Sequence, residues 1–271
     1  MPEKFLIGTQ RWQFRAWEGG FYAPGIPESE MLESYSRMFP TVEVDATFFG
    51  VPAAPVVKDW RSRVPQGFKF SLKLPQEVTH SKRLAGDMDV IDRFLDRAHL
   101  LEDALGPILV QLPSNFLPSK AERQKFMNFV PKLSKDVRWV FEFKHPAWLN
   151  EEVLAQLSEH KVAVALVDGR WIPREKMIEI AKQPTTDFVY VRWMGSGPRL
   201  FDHSKPSREQ KTEVKAWGQT LKKKSLRVDT VYGYFHNEFE GHAPHSARVM
   251  QKLLGVNPVD PSNIAAGAAA S

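Results

Sequence analysis

The chain has 271 residues, no cysteine, and 37 lysines and arginines against 32 aspartates and glutamates, which gives a formal charge of +5. The absence of cysteine excludes disulfides, thiolate-held metal sites and a cysteine nucleophile, and 42% apolar residues exclude wholesale disorder. The sequence has no apolar run of about 18 residues and no signal-peptide core at its start. We therefore expect a cytoplasmic protein with no membrane partner.

Eight short apolar runs with strand character follow one another along the chain, at residues 5–9, 41–45, 67–73, 108–111, 137–143, 162–168, 188–192 and 230–236. Apolar residues at helical spacing lie between them, at 28–38, 55–64, 90–105, 120–133, 151–159, 174–182, 208–224 and 244–254. This alternation favours parallel strands joined by crossover helices. Eight such units in about 255 residues predict a closed (β/α)8 TIM barrel.

An open doubly wound sheet is the alternative architecture. Its first turn carries a G-x-G-x-x-G fingerprint, whereas IGTQRWQFRAW follows the first predicted strand here. We therefore predict one TIM-barrel-like domain over residues 1–256. The small, featureless residues 257–271 are typical of a disordered tail.

Polar side chains end nearly every predicted strand, and in a parallel barrel these ends meet at the mouth that holds the ligand. Residues two apart on a strand share a face, as do Glu43 with Asp45 and Glu142 with Lys144. Burying such groups is costly unless they are paired or used. The predicted catalytic residues are Glu43, Lys73, Glu142 and Asp168, and the predicted ligand-binding residues are Trp12, Asp45, Gln111, Lys144, His145, Arg192 and Asn237.

These residue types favour an enzyme that acts by acid/base chemistry on a small polyhydroxylated or phosphorylated, anionic molecule. Glu43 or Glu142 is the predicted general base, and Lys73 the electrophile or the group that lowers a neighbouring pKa. The remaining roles follow from charge: Lys144 and Arg192 hold an anionic group, while Asn237 donates a neutral hydrogen bond.

Other interpretations of the same residues stay open. Glu43 could pair with Lys73, and Glu142 with Arg192, as plain ion pairs. Asp168 could be a turn residue, and Trp12 a core side chain. A divalent cation is a further alternative, because oxygen and nitrogen ligands suited to Mg²⁺ or Mn²⁺ are present at Glu43, Asp45, Glu142, His145 and Asp168.

Two further function classes fit the sequence. Cations at the mouth, including Arg11, together with nearby aromatic residues favour a nucleic-acid-binding or phosphodiester-cleaving protein. A non-catalytic small-molecule binder is the third class. It differs from the enzyme in predicting that Glu142→Gln leaves the biological activity intact.

Seven ordered motifs resemble those of the YecE-like family, called domain of unknown function 72: GTQRWQFRAWEGGFY, VEVDATFFGVP, GFKFSLKLPQEVTH, LGPILVQLPSNF, FEFKHPAW, DFVYVRWMG and YFHNEFEGHAPHSA. The resemblance implies a TIM-barrel fold and a loose relation to sugar isomerases. The family pattern covers most of the predicted site, namely Trp12, Glu43, Lys73, Gln111, Glu142, His145, Asp168, Arg192 and Asn237. It departs at Asp45, Lys144, Met194, His236 and Ser246, where Asn, Arg, His, Asn and Asn are common.

Overall fold

The barrel predicted from the alternating pattern is confirmed in a computed structural model, which describes residues 4–86, 88–223 and 226–256. Eight parallel strands close in sequence order, β1 pairing with both β2 and β8. The strands are β1 Lys4–Gln10, β2 Thr41–Val44, β3 Lys69–Lys73, β4 Leu105–Gln111, β5 Trp139–Glu142, β6 Ala163–Gly169, β7 Phe188–Gly195 and β8 Thr230–Phe235. The predicted tail, residues 257–271, lies outside the described residues.

Helices return the chain from the carboxyl end of each strand to the start of the next. They are α1 Glu28–Met38, α2 Ala54–Ser62, α3 Asp89–Ala98, α4 Lys120–Phe129, α5 Glu151–Glu159, α6 Arg174–Ala181, α7 Lys211–Leu221, α8 Asn237–Glu240 and α9 Ala243–Leu254. None of the helices in the described ranges is both long and apolar enough to cross a membrane. Short α8 is an extra helix that the periodicity did not predict, inserted between β8 and α9.

The main apolar core lies between the strands and the helices. Outward side chains of β5 pack on α4, where the rings of Phe126 and Phe141 have centroids 5.4 Å apart. Trp193 of β7 meets Trp217 of α7 edge to face at 6.1 Å. Since the outward positions of each strand supply this core, the inward positions are left to the barrel interior and its mouth.

Two of the predicted helices that end early change to a 3-10 helix at that point. The predicted helix 90–105 stops at Ala98 and continues as a 3-10 helix, in which Glu102 adopts a left-handed φ of 52°. The predicted helix 120–133 gives way to a 3-10 turn over Val130–Lys132, because Pro131 lacks the amide hydrogen that a continuing helix requires. Neither change alters the mouth of the barrel.

Candidate functional site

Inward positions near the carboxyl ends of four strands bring charged side chains to one place. Glu43 on β2 registers with Ser71 on β3, so Lys73 follows on the same inward face two residues later. Glu142 ends β5 beside Gln111 of β4, and Arg192 lies on β7 beside Tyr234 of β8. The strict period of two in each strand thus builds the mouth.

Arg192 is the centre of this group and binds two carboxylates at once. Its Nε and Nη2 donate to the two oxygens of Glu43 at 2.9 and 2.8 Å, and its Nη1 donates to Oε2 of Glu142. The side chain of Arg192 is only 1% exposed. Burial lowers the pKa of the guanidinium, but Glu142 and Glu43 outweigh it and hold the pKa well above its ordinary value.

Neutral donors complete the coordination of both carboxylates. The hydroxyl of Tyr190 donates to Oε2 of Glu43 at 2.6 Å, and Nε2 of Gln111 donates to Oε1 of Glu142 at 2.8 Å. Tyr190 also shares a hydrogen bond of 2.9 Å with Oγ of Ser71. Each oxygen of the two glutamates therefore has a donor within the protein.

Asp45 carries a second set of ion pairs beside this centre. Its Oδ2 accepts from Arg11 at 2.5 Å, and its Oδ1 lies 3.3 Å from Nζ of Lys73. The Lys73 ammonium also lies 3.9 Å from the ring centroid of Phe48. Lys73 thus pairs with Asp45, and Glu43 with Arg192, which corrects the alternative in which Glu43 and Lys73 pair with each other.

Lys144 differs from these cations because its ammonium makes no hydrogen bond or ion pair with any described residue. It is half-buried, and burial lowers its pKa more than the charge of Glu142 raises it. Burial alone would raise the pKa of Glu142, but Arg192, Lys144 and Lys73 outweigh it and lower that pKa. Lys144 is therefore close enough to act on Glu142 yet remains free to meet a ligand.

His80 lies near the same two lysines. Burial first, then the charges of Lys144 and Lys73, lower its pKa from 6.5 to about 4, so the imidazole is neutral at neutral pH. Its Nδ1 shares a hydrogen bond of 2.8 Å with Oγ1 of Thr79. No described residue is a hydrogen-bond partner of the other ring nitrogen, Nε2.

We call this group of seven charged side chains the cup: Arg11, Glu43, Asp45, Lys73, Glu142, Lys144 and Arg192. Four cations face three carboxylates, which leaves one positive charge in excess. Burial, followed by the charge of Arg192, lowers the pKa of Lys73. The cup therefore combines a compensated centre with one ammonium, that of Lys144, which has no partner among the residues that the structure describes.

The structure does not bring Asp168 into the cup. Its oxygens accept from Nε and Nη2 of Arg174 at 2.7 and 3.2 Å and from Nε1 of Trp217 at 2.8 Å. Both partners belong to the surrounding helices, so Asp168 faces the helical layer. It is Val167, the preceding residue on β6, that registers with Arg192.

Trp12 and Asn237 also lie apart from the cup. Trp12 packs edge to face on Trp60 of α2, with ring centroids 5.8 Å apart. The buried amide oxygen of Asn237 accepts from Nε1 of Trp17 at 3.1 Å and from the backbone of Ala243 at 2.9 Å. These contacts join the loop after β1 to the start of α9.

His145 lies in the loop after β5, where its Nδ1 accepts from the backbone of Ala147 at 3.2 Å and caps a short 3-10 turn. Among the residues that the structure describes, no three histidine, aspartate or glutamate side chains converge in a way that could hold a metal ion. Glu43 and Glu142 are instead bound to Arg192. The residues present thus do not fit the divalent-cation site that the sequence left open as an alternative.

Three residues beside the cup are absent from the predicted catalytic and ligand-binding residues: Tyr190, His80 and His236. Tyr190 lies two residues before Arg192 and was identifiable from the strand period. His80 lies in a short π-helical turn over Glu77–Ser81, which carries no periodic signal. His236 directly follows β8, where strand-end reasoning applies.

Comparisons with known proteins agree with this architecture. The family described as "Protein of unknown function DUF72" matches residues 6–268. UPF0759 protein YecE of Escherichia coli K12 is 30% identical over 169 residues, covering 60% of this chain and 59% of YecE, so the match spans about three-fifths of that relative. UPF0759 protein YunF of Bacillus subtilis is 22% identical over 255 residues, 87% of this chain and 90% of YunF.

Solved structures show the same fold. A DUF72 family protein from Thermotoga maritima superposes with a TM-score of 0.78 at 24% identity, covering 93% of this chain and 99% of that chain. A D-psicose 3-epimerase, crystallised in the presence of D-fructose, superposes with a TM-score of 0.53 at 12% identity. The superposition covers 93% of this chain and 99% of the epimerase chain. The DUF72 family pattern matches residues 6–268, which is nearly the whole sequence, so this chain belongs to the DUF72 family.

Proposed function

We propose that the protein is an enzyme that binds a small, polyhydroxylated anion in the cup and moves a proton on it. This proposal rests on the half-buried ammonium of Lys144 beside Glu142, which has no hydrogen-bond or ion-pair partner among the described residues. A cation in that position without a protein partner has a ligand anion or hydroxyl as its natural partner, because desolvated charges are costly unless paired.

Charge compensation makes Lys144, in preference to Arg192, the cation of the cup that contacts the ligand. The guanidinium of Arg192 is 1% exposed and already donates to both Glu43 and Glu142. Lys144 brings the excess positive charge of the cup. Arg192 then has a different role, because it holds the two carboxylates in a fixed arrangement before the ligand arrives.

Proton transfer is assigned to the lysines with lowered pKa. A general acid or base works best when its pKa lies near the working pH, and burial moves the pKa of both Lys73 and Lys144 downward in that direction. The pKa of Glu142 is instead shifted away from neutral pH, because Arg192, Lys144 and Lys73 lower it against the effect of burial. Its carboxylate therefore stabilises positive charge and orients substrate hydroxyls.

The test follows hydrogen exchange on carbon, because an enzyme that removes a proton next to a carbonyl incorporates deuterium from D₂O. Aldoses, ketoses, their phosphates and 2-hydroxy acids are incubated with the protein in D₂O and followed by proton NMR. We expect at least one compound to exchange, Lys144→Met to slow the exchange at least ~100-fold through loss of an acid/base group, and Glu142→Gln to slow it through loss of the carboxylate that orients the substrate.

Lys205→Met is the matched control, because Lys205 is an exposed lysine in the loop after β7 that lies outside the cup. Its exchange rate should equal that of the wild type. Unchanged exchange in both cup variants would contradict the proposal, as would failure of the wild type to bind or exchange any member of the panel. The epimerase barrel, crystallised with D-fructose, makes ketoses the first compounds to try.

Single-stranded nucleic acid is a second candidate ligand, favoured by exposed aromatic side chains on the loops around the mouth. Phe201 is 86% exposed, Phe49 68% and Trp171 48%, and bases stack on such rings without sequence preference. A short oligothymidylate should then bind at low salt and dissociate steeply as salt rises. Absence of binding at low salt would remove this candidate.

A further inference from the structure

An open cavity of about 710 Å³ lies next to the cup, between the loops that follow β6, β7 and β8. Its lining consists of Arg170, Ser196, Gly197, Pro198, Arg199, His236 and Glu238. None of these residues belongs to the cup, and neither arginine was among the predicted site residues. In barrels of this architecture, the loops after the seventh and eighth strands frequently bind phosphate.

The charge of the cavity favours an anion. Arg170 and Arg199 make no ion pair with any described residue, and the guanidinium of Arg199 lies 5.6 Å from the ring centroid of Phe201. The single carboxylate in the lining, Glu238, already accepts from the backbone of Leu200 at 2.8 Å. The lining thus has two cations without an ion-pair partner in the described part of the chain, and one carboxylate that already accepts a backbone hydrogen bond.

His236 connects the cavity to the cup and supplies a neutral donor. Its Nδ1 accepts from the backbone of Glu238 at 3.2 Å, so in the neutral ring Nε2 bears the proton. Burial, followed by the charges of Arg192 and Arg11, lowers the pKa of His236 to about 4. The ring is therefore uncharged at neutral pH. It lies close enough to the cup for the charges of Arg192 and Arg11 to lower its pKa.

The wall of the cavity is held by close backbone packing. Gly195 has a left-handed φ of 76°, and a Cβ there would lie 2.4 Å from the carbonyl oxygen of Glu238. Arg208 donates to that same carbonyl at 2.8 Å and also to the carbonyl of Pro198. The loop after β7 is thereby fixed against the segment after β8, so the cavity exists before a ligand enters.

We propose that this cavity binds the phosphate of a small polyol phosphate monoester, whose polyol part extends past His236 to Lys144 and Glu142. Arg170 and Arg199 supply charge-assisted hydrogen bonds to the phosphate oxygens, and Nε2 of His236 donates a further one. The identity of the polyol end rests on the proposed function, whereas the phosphate site is measurable without any turnover.

Inorganic phosphate is the first probe, added at constant ionic strength by replacing chloride. A ligand that binds only the folded protein raises the melting temperature in proportion to ln(1 + [L]/Kd). We expect phosphate to stabilise the wild type, and the double variant Arg170→Gln/Arg199→Gln to bind it at least about tenfold more weakly. Both arginines are exposed, so the double variant should melt like the wild type without phosphate.

Lys205→Gln is the control, because this exposed lysine lies on the same loop outside the cavity lining. It should leave the phosphate affinity within about twofold of the wild type. Equal affinity in the double arginine variant would overturn the proposal. Absence of stabilisation of the wild type by phosphate would also overturn the proposal. Loss of phosphate binding in the single variant Lys144→Met would overturn it as well, because the phosphate would then bind in the cup.

Two competitors then identify the source of the phosphate. Ribose 5-phosphate should displace inorganic phosphate with a shallow salt dependence, as expected for one small anion. Displacement by oligothymidylate alone, with a steep salt dependence, would overturn the choice of a monoester. Since Glu142→Gln should retain phosphate binding while losing exchange, failure of the proposed function and failure of this inference give different results.

Discussion

Arg192 and Lys144 both act on Glu142, yet their surroundings are opposite. Arg192 is fully buried and donates to two carboxylates, one of which also accepts from Tyr190. Lys144 is half-buried and has no such partner among the described residues. Two cations that act on the same carboxylate thus have different uses, because a compensated cation maintains a structure and an uncompensated one is available to a ligand.

The largest effect that this comparison predicts is on stability. Arg192→Met leaves Glu43 and Glu142 buried without their cation, and breaking a buried ion pair in this way costs about 3–5 kcal/mol. Urea denaturation should show this loss in the free energy of unfolding. Arg37→Met, which removes an exposed i,i+4 pair with Glu33, should cost about 0.5 kcal/mol or less. Equal losses in the two variants would refute the special role of Arg192.

Asp168→Asn should have the next largest effect. The charged acceptor of Arg174 and Trp217 is lost, and such a hydrogen bond to a charged group contributes about 1.5–3 kcal/mol. Thermal unfolding should record this as a lower melting temperature. A variant that unfolds like the wild type but exchanges deuterium more slowly would contradict the placement of Asp168 outside the cup.

The sequence predicted the cup better than it predicted the partners within it. Period-two alternation correctly brought Glu43, Lys73, Glu142 and Arg192 to one mouth, because each ends or nearly ends an inward-facing row. Alternation cannot tell which of several neighbouring charges will pair. That choice depends on distances across the barrel, such as the one between Glu43 on β2 and Arg192 on β7.

Asp168 and Trp12 show why strand ends are insufficient evidence for a mouth residue. Asp168 has the opposite parity to Val167, which registers with Arg192, and a register shift follows Asp168. Trp12 comes after Arg11, whose left-handed φ of 61° redirects the chain towards α2. The sequence around Asp168 does not show which face of β6 this residue lies on, and the sequence around Arg11 does not show that its φ is positive. Neither feature could be predicted from the local sequence.

Three histidines with lowered pKa values make the stability of the folded protein depend on pH. The pKa values of His80, of His236 and of His242, which caps the start of α9, lie at about 4 in the folded protein, against about 6.5 in an unfolded chain. As the pH falls from about 6.5 to about 4, the unfolded chain binds protons that the folded protein does not, so stability decreases. Denaturation midpoints across this range should fall with pH, and a constant midpoint would contradict it.

Lys144→Met should raise the pKa of His80, because Lys144 is the strongest of the charges that lower it. The pKa of His236, whose causes do not include Lys144, serves as the internal control and should stay unchanged. Titration of the two imidazoles by NMR measures both values in one experiment. Equal shifts in the two rings would place Lys144 elsewhere.

The smallest effect is expected for the stability of Lys144→Met itself. Its ammonium has a pKa lowered by burial, so the charge is not stabilised by the fold, and the variant should unfold within about 0.5 kcal/mol of the wild type. Urea denaturation beside Arg192→Met checks this directly. A loss as large as that of Arg192→Met would mean that Lys144 has a structural partner.

Competitive labelling of lysines with trace acetic anhydride, read by mass spectrometry across pH, tests whether the Lys144 amine is accessible and has a lowered pKa. The experiment requires no knowledge of the substrate. Lys144 should titrate below the ordinary pKa of a lysine and react readily at mildly alkaline pH, because only the unprotonated amine is a nucleophile and burial favours that form. Lys73, which is 6% exposed and paired with Asp45, should react slowly. If Lys144 titrates at the ordinary pKa of a lysine, or is as protected as Lys73, the cup does not contain an ammonium that is available to a ligand.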